Sequence, residues 1–334
     1  MKNFLSKHNK SYLWRRGVQI LFVLITVVIG IQFIRFVNAY SDPNSVLFVA
    51  RPAGVDAFLP ISALVALKSW LANGIFDRIH PAGLVIFLAA MSLSLLLKRA
   101  FCSWICPFGT LSEGLALVGQ KVFKRNFTPP HWLDYSLRSL KYVILGFFVV
   151  FIFVLMDGES AYSFLQTPYN MIADVKMLGF FKGITWVGMT VILALMILSV
   201  LIQNFWCRYL CPYGALLGIL SVLSPWKIRR NETSCISCGR CTVACPNRLK
   251  VDKALVVMSP ECSGCLNCIE QCPVSDTLTF DLPKSSVALS QRTLAIVVVL
   301  FWLAFIGVAK VTGYWESSIA PEMYKMLIPM ADRF

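Results

Sequence analysis

Apolar residues gather along this chain into five long blocks: Val18–Val37, Pro81–Leu97, Tyr142–Met156, Ile184–Ile202 and Leu294–Ala309. A helix of about 20 apolar residues crosses a bilayer core, with a range near 17–25. The first and fourth blocks meet that directly, and the others borrow residues at their ends. No block carries a charge at its centre, and Arg35 lies near enough to the end of the first to snorkel. The pattern predicts an all-α polytopic membrane protein of about five transmembrane helices. A long polar stretch separates the fourth block from the fifth. Between the first two, residues 55–80 place Phe58, Leu59, Ile61, Leu64, Val65 and Trp70 as the apolar face of an interfacial helix.

Composition agrees with that pattern. Of 334 residues 57% are hydrophobic and 14% charged, with a mean hydropathy of +0.69, whereas a soluble domain carries roughly 25% charged residues. The net charge of +14 would suit nucleic acid, but its distribution favours another origin. Residues 1–17, 98–141 and 203–293 hold 22 Lys and Arg against 8 acids; residues 38–80, 157–183 and 310–334 hold 8 against 9. Basic residues stay on the cytoplasmic side. The N-terminus and 203–293 are therefore expected in the cytoplasm of a bacterial inner membrane, with the C-terminal tail outside. No nucleic-acid partner is expected. The twin arginines of "WRRGVQ" before the first block admit a cleaved signal. The apolar run exceeds a signal core of about 7–15 residues, so an uncleaved anchor is expected.

All twelve cysteines fall in motifs. Eight form "CISCGRCTVACP" (235–246) and "CSGCLNCIEQCP" (262–273), each C-x2-C-x2-C-x3-C-P. In a bacterial two-cluster ferredoxin the fourth cysteine of each run ligates the other cluster. One [4Fe–4S] cluster is thus expected on Cys235, Cys238, Cys241 and Cys272, and a second on Cys262, Cys265, Cys268 and Cys245. Zinc needs only four ligands per site, and disulfides do not suit a reducing cytoplasm. The intervening Asn247–Glu261 is expected to cover the clusters with a short strand or turn and with Leu255, Val256 and Val257.

The other four cysteines repeat a second pattern. "FCSWICPFGTL" (101–111) and "WCRYLCPYGAL" (206–216) align at an offset of 105 residues, each after an apolar block. Cysteines four apart share a helix face, and Pro-aromatic-Gly breaks the helix. Two such elbows, each leading out of the membrane on the cytoplasmic side, offer Cys102, Cys106, Cys207 and Cys211 to a third iron–sulfur or other soft-metal centre. Redox-active disulfide pairs and plain packing cysteines are the other readings.

With these motifs in order, the chain resembles the membrane polyferredoxins typified by NapH and by the membrane core of NosR, and more distantly the oxidase-assembly protein CcoG. "WRRGVQ", "FCSWICPFGTLSE", "WCRYLCPYGALLG" and the doubled ferredoxin run carry the resemblance over nearly the whole length. It implies quinol oxidation and electron delivery to respiratory reductases. The chain is expected to do without the extracytoplasmic flavin domain of NosR. After its fifth span it has a short tail where CcoG relatives carry a folded domain.

A quinone site needs apolar walls at membrane depth and a proton acceptor. His80, with Asp77 beside it, and Gln166 in the second outer loop are the candidates. The plainer reading makes His80-Pro81 a helix boundary, Asp77 and Arg78 a solvated pair, and the loop around Pro168 a turn. His8, His80 and His131 lie at span ends or in loops, so bis-histidine haem is not expected. The expected organisation is a membrane domain at 1–228, a small α+β ferredoxin-like module at 229–285, and a fifth span with outer tail at 286–334. The expected function is a membrane-anchored electron-transfer subunit with lipid, quinol and redox-partner subunits as its partners. An assembly or metal-reduction factor, or a conduit subunit without its own quinone site, are the alternatives.

Overall fold

The computed structural model describes residues 2–42, 48–124, 126–283 and 287–333; the side chains of residues 2–12 and of His131 are not described. The expectations for His8 and His131 therefore lie outside the described side chains. Helix α1 (Lys2–Ser41) runs through the first apolar block. A 3₁₀ turn (Ala53–Phe58) leads into α2 (Pro60–Asn73), α3 (Pro81–Leu97), the short α4 (Ala100–Trp104) and α5 (Pro107–Phe123). Then come α6 (His131–Val149), which continues as a π-helical segment at Val150–Leu155, and α7 (Gly158–Leu165), α8 (Pro168–Met171), α9 (Ala173–Lys182) and α10 (Trp186–Leu201). A second π segment (Trp206–Leu210) precedes α11 (Pro212–Val222), β1 (Lys227–Arg230), α12 (Arg240–Val243), α13 (Asn267–Glu270), β2 (Leu278–Asp281), α14 (Gln291–Val311) and α15 (Pro321–Leu327).

Among the described residues three helical stretches are long and apolar enough to cross a membrane: Leu13–Ser41, Trp132–Leu155 and Gln291–Val311. A fourth arises if α9 and α10, bent by 88°, count as one span. Helix α3 matches its expected bounds but is a shorter apolar helix, enclosed by protein at Leu84, Ala90 and Leu93. A helix that is apolar all round and wrapped by its neighbours is satisfied by protein contacts. The segments between the apolar blocks hold more helix than the hydropathy pattern suggested. Thr167 caps α8 with Pro168 at its first position, so Pro168 starts a helix rather than making a plain turn.

The chain forms two compact units. One comprises Leu24–Ala89, Gly146–Ile192 and Leu303–Phe334. Its core joins Phe33, Phe36 and Tyr40 of α1 to Val55, Ile172, Val175, Tyr324 and Leu327, with the Phe36 and Tyr324 rings edge to face at 5.1 Å. Helix α2 packs on α7 here. Leu64 and Val65 are buried, whereas Ile61 is 51% exposed and Trp70 37%. The expected interfacial face is thus divided between protein and surroundings.

The other unit comprises Met1–Val23, Ala90–Leu145 and Leu193–Trp302 and holds every cysteine. Its ferredoxin segment is closed by antiparallel β1 and β2, in the register Lys227↔Asp281 to Arg230↔Leu278. Leu278 and Phe280 of β2 point inward in period-two alternation, and Ile228 of β1 is buried with them. The 247–261 segment adds a bridge from Val256 to Arg229 and a bond from Val257 N–H to the Ile228 carbonyl at 2.9 Å. Val251 and Val257 are buried beneath it, but Leu255 is 54% exposed and covers nothing.

Candidate functional site

Each ferredoxin run curls in the same way. Ser237 and Gly239 in the first, Gly264 and Leu266 in the second, all adopt positive φ. The second member of each pair starts a one-turn helix, α12 or α13, that carries the third cysteine. Left-handed residues at matched positions turn successive backbone N–H groups toward the enclosed space, a natural cradle for an anionic group. One open pocket is lined by Cys235, Cys238, Cys241 and Cys272. Another is lined by Cys245, Cys262, Cys265 and Cys268. These are the two quartets that motif exchange predicts. At the first, the Ser237 N–H and Arg230 hold the Cys235 thiol below its usual range. At the second, Cys262, Cys265 and Cys268 are all buried, and burial pushes the Cys245 thiol up to about 12.

Each elbow departs from the expected ideal helix face. The Cys106 N–H bonds to the Phe101 carbonyl at 2.9 Å and the Cys211 N–H to the Trp206 carbonyl at 3.0 Å, both i→i−5 contacts. Such wide turns are rare and concentrate at functional sites. The proline does more than break a helix. Pro107 and Pro212 stand first in α5 and α11, with Cys106 and Cys211 at the N-caps. That position aims orphan N–H groups at sulfur; Gly214 N–H lies 3.3 Å from the Cys211 Sγ. The four thiols lie close enough to act on one another. Burial raises Cys102 to about 11, with Arg99 opposing and Cys211 adding to the rise; burial raises Cys106 to about 12, and Cys102 adds to it; Cys207 feels Cys211, Cys106 and Cys102 in turn.

Among the described residues no three His, Cys, Asp or Glu side chains are close enough to surround a single metal ion. A cubane holds its ligand sulfurs farther apart than a lone ion does. Four converging thiols, two of them at helix N-termini, suit such a core, which compensates the charge they cannot carry together in an apolar site.

The elbows differ at one glycine. A Cβ on Gly109 would lie 2.1 Å from the Cys102 carbonyl oxygen, whereas on Gly214 its nearest neighbour would be 3.6 Å away. Gly109→Ala should therefore displace the first elbow's backbone and cost at least the roughly 1–3 kcal/mol of an overpacked core, while Gly214→Ala is tolerated. Iron content and thermal unfolding of the anaerobic protein in detergent measure both; equal behaviour of the two variants would contradict this geometry.

Three carboxylates that sequence reasoning did not single out hold this unit together. Glu113, just after the first elbow, accepts from Arg16 at 3.0 Å and Gln19 at 3.0 Å and pairs with Arg15. Gln19 also reaches the Ser103 carbonyl at 3.0 Å. The "WRRGVQ" motif therefore clamps the first elbow. Asp134 pairs with Arg208 of the second elbow at 2.9 Å and with Arg138 at 2.7 Å, and accepts from Tyr209. Glu261, one residue before Cys262, takes both oxygens to Lys141 Nζ at 2.7 Å and accepts from Tyr142 at 2.9 Å. Arg99 reaches the Glu261 carbonyl at 2.5 Å and the Gly214 carbonyl at 3.1 Å. Ser103 and Trp104 donate to the Ser263 and Gly264 carbonyls at 2.7 and 3.1 Å. The second run thus sits directly on the first elbow. The available signal was charge inside or beside apolar blocks, at Arg99, Asp134 and Lys141.

In the other unit His80 is buried. Its Nε2 donates to the Asn170 carbonyl at 2.7 Å and its Nδ1 to Asp56 at 3.0 Å. Arg51 pairs with Asp56 and, at 2.8 Å, with Asp174. Burial disfavours the imidazolium, but Asp56 outweighs it and holds His80 above its ordinary value. Asp77 is buried too and caps the Ile79 and His80 N–H groups at 2.9 and 3.2 Å. It forms no solvated pair with Arg78, which stacks on Tyr314 at 4.4 Å. Gln166 is exposed at the end of α7 and stands outside this network.

Comparison with known proteins finds iron–sulfur domains over the same segments. A 4Fe-4S binding domain model matches residues 79–126 and 184–231, starting at the 105-residue offset of the elbows, and a 4Fe-4S dicluster domain model matches 227–273. The putative electron transport protein YccM of Escherichia coli is 44% identical over 323 residues, 95% of this chain and 90% of its own. The ferredoxin-type protein NapH of Haemophilus influenzae is 24% identical, covering 79% of this chain and 87% of its own. The regulatory protein NosR of Pseudomonas aeruginosa is 30% identical over 54% of this chain and 24% of its own. No solved structure matches the chain significantly. With near full-length similarity to an electron transport protein and iron–sulfur domains over all three cysteine groups, the chain belongs to the NapH/NosR-type polyferredoxins.

Proposed function

We propose that the chain is a membrane-anchored iron–sulfur subunit that relays electrons between the quinol pool and a respiratory reductase or partner complex. The observation that carries this reading is the convergence of three cysteine quartets within one compact unit, two around cavities and one at paired elbows. Cys235, Cys238, Cys241 and Cys272 would hold one cluster and Cys245, Cys262, Cys265 and Cys268 another. Cys102, Cys106, Cys207 and Cys211 would hold a third centre. Such clusters supply one-electron chemistry at potentials tuned by charge, burial and N–H···S contacts.

The residues around them divide the work. Trp104 and Ser103 seat the second run against the first elbow, Arg15, Arg16 and Gln19 anchor that elbow through Glu113, and Asp134 anchors the other. The quartet containing Cys238, which is exposed, is the natural outlet toward a partner protein. Five spans are proposed, with α3 and α10 completing them. The basic excess of 203–293 supports a ferredoxin segment and N-terminus in the cytoplasm and a tail outside. The chain organisation is membrane domain 1–228, ferredoxin module 229–285 and closing span with tail 286–334.

A quinol gives up two electrons and two protons on oxidation, and the outer residues Asp77, His80 and Gln166 are the proposed contact; two oxidised clusters take one electron each, and the two protons pass to water, because His80 already donates from both ring nitrogens. His80 takes up a ligand by releasing Asn170 or Asp56. The test adds a reduced short-chain quinol to oxidised, anaerobic protein and follows the clusters by EPR. Quinol should reduce them in the parent and more slowly in His80→Gln, while dithionite reduces both alike. Clusters that accept electrons from dithionite but never from quinol would overturn the quinol assignment.

A further inference from the structure

Lys98 follows the last residue of α3 in a left-handed backbone conformation, φ 58°. Its side chain is 0% exposed, and its ammonium has no hydrogen-bond partner among the described residues. A buried ammonium with no partner costs several kcal/mol, so natural proteins pair it. Snorkelling is excluded by its complete burial. The Glu261 carboxylate gives both oxygens to Lys141.

The backbone around Lys98 is fixed. Its N–H donates to the Ser224 hydroxyl at 3.2 Å and its carbonyl accepts from Ala100 at 2.7 Å. Across from it stands Gly264, where a Cβ would lie 3.4 Å from the Lys98 Cβ and 3.1 Å from the Leu97 carbonyl. Gly264 lines the second cavity. Burial pulls the Lys98 ammonium down to about 8; Cys262 acts against that, while the cations Lys227 and Arg99 add to it. Lys98 therefore has one source of negative charge to face, the thiolate side of that cavity.

We propose that Lys98 is the cation compensating the anionic cluster seated among Cys245, Cys262, Cys265 and Cys268, and that it raises that cluster's midpoint potential. The proposal rests on the assignment of a cluster to this quartet. Four thiolates carry more negative charge than a cubane core carries positive, and reduction adds one further electron. A fixed cation in a site shielded from water favours the more negative state, so the reduced form gains. The other ferredoxin quartet lies nearer solvent, where Lys98 is screened from it.

The experiment is an EPR-monitored redox titration of anaerobic parent, Lys98→Met and Lys98→Arg proteins, with iron and sulfide counted in each. Cys262→Ser identifies which signal belongs to this quartet. Lys98→Met should lower the midpoint of that signal alone, and Lys98→Arg should stay near the parent. If Lys98→Met loses the cluster while Lys98→Arg keeps it, compensation is equally supported. Unmoved midpoints in Lys98→Met, an equal shift of every centre, or loss of the cluster in both variants would overturn the role of Lys98. Parent protein without iron and sulfide would instead overturn the cluster assignment itself.

Discussion

Cys102→Ser or Cys211→Ser protein, purified without oxygen, should carry roughly eight irons where the parent carries roughly twelve, on the assignment of four per cubane. One EPR signal should vanish and two should remain. The reason lies in the elbows. Each contributes one cysteine from a wide turn and one from a helix N-cap, and the four thiols act on one another. Removing either leaves three ligands for a core that needs four. A disulfide arrangement gives a different result, because its serine variants would keep all the iron and lose only a reducible bond. Unchanged iron and unchanged spectra would remove the third centre from the relay.

Glu261→Leu should be the most destabilising single change in the cysteine-bearing unit. Lys141 is 0% exposed and Arg99 5%, and both depend on this carboxylate. Taking one partner from a buried ion pair costs about 3–5 kcal/mol, because the remaining charge stays buried. Burial opposes ionisation of Glu261, but Arg99 and Lys141 outweigh it and hold the carboxyl down to about 2. The sign follows from that depressed value. The carboxylate's contribution is complete above the ordinary glutamate pKa of about 4.3 and disappears as pH falls toward about 2, so it is fully present at neutral pH. Urea unfolding in detergent measures the effect. The Glu261→Leu, Lys141→Met double variant should recover part of the loss, since it removes the orphaned ammonium along with its partner. A double variant as unstable as the sum of the single ones would show that the pair is not coupled.

Much of the cofactor chemistry was legible before any coordinates. Thiolate ligation depends on residue type and local spacing, so the C-x2-C-x2-C-x3-C-P runs predict two quartets with their fourth cysteines exchanged, and the two pockets are lined by those same groups of cysteines. The duplicated elbows were legible for the same reason. What the spacing did not convey was their backbone. A four-residue separation suggests an ordinary helix face, whereas the chain makes an i→i−5 turn and starts a new helix at the proline.

Hydropathy determined which parts of the chain are apolar enough to enter a membrane, because transfer to lipid is a property summed over neighbours in sequence. It did not reveal the 88° bend before α10, nor the wrapping of α3 by protein, since both depend on what packs alongside. Tertiary structure alone decided the partners of the charges. Glu113 meets Arg16 across 97 positions and Glu261 meets Lys141 across 120, and no local pattern encodes such distances. An ion pair is chosen by where folding leaves two side chains together out of water, while a metal ligand set is written in consecutive residues.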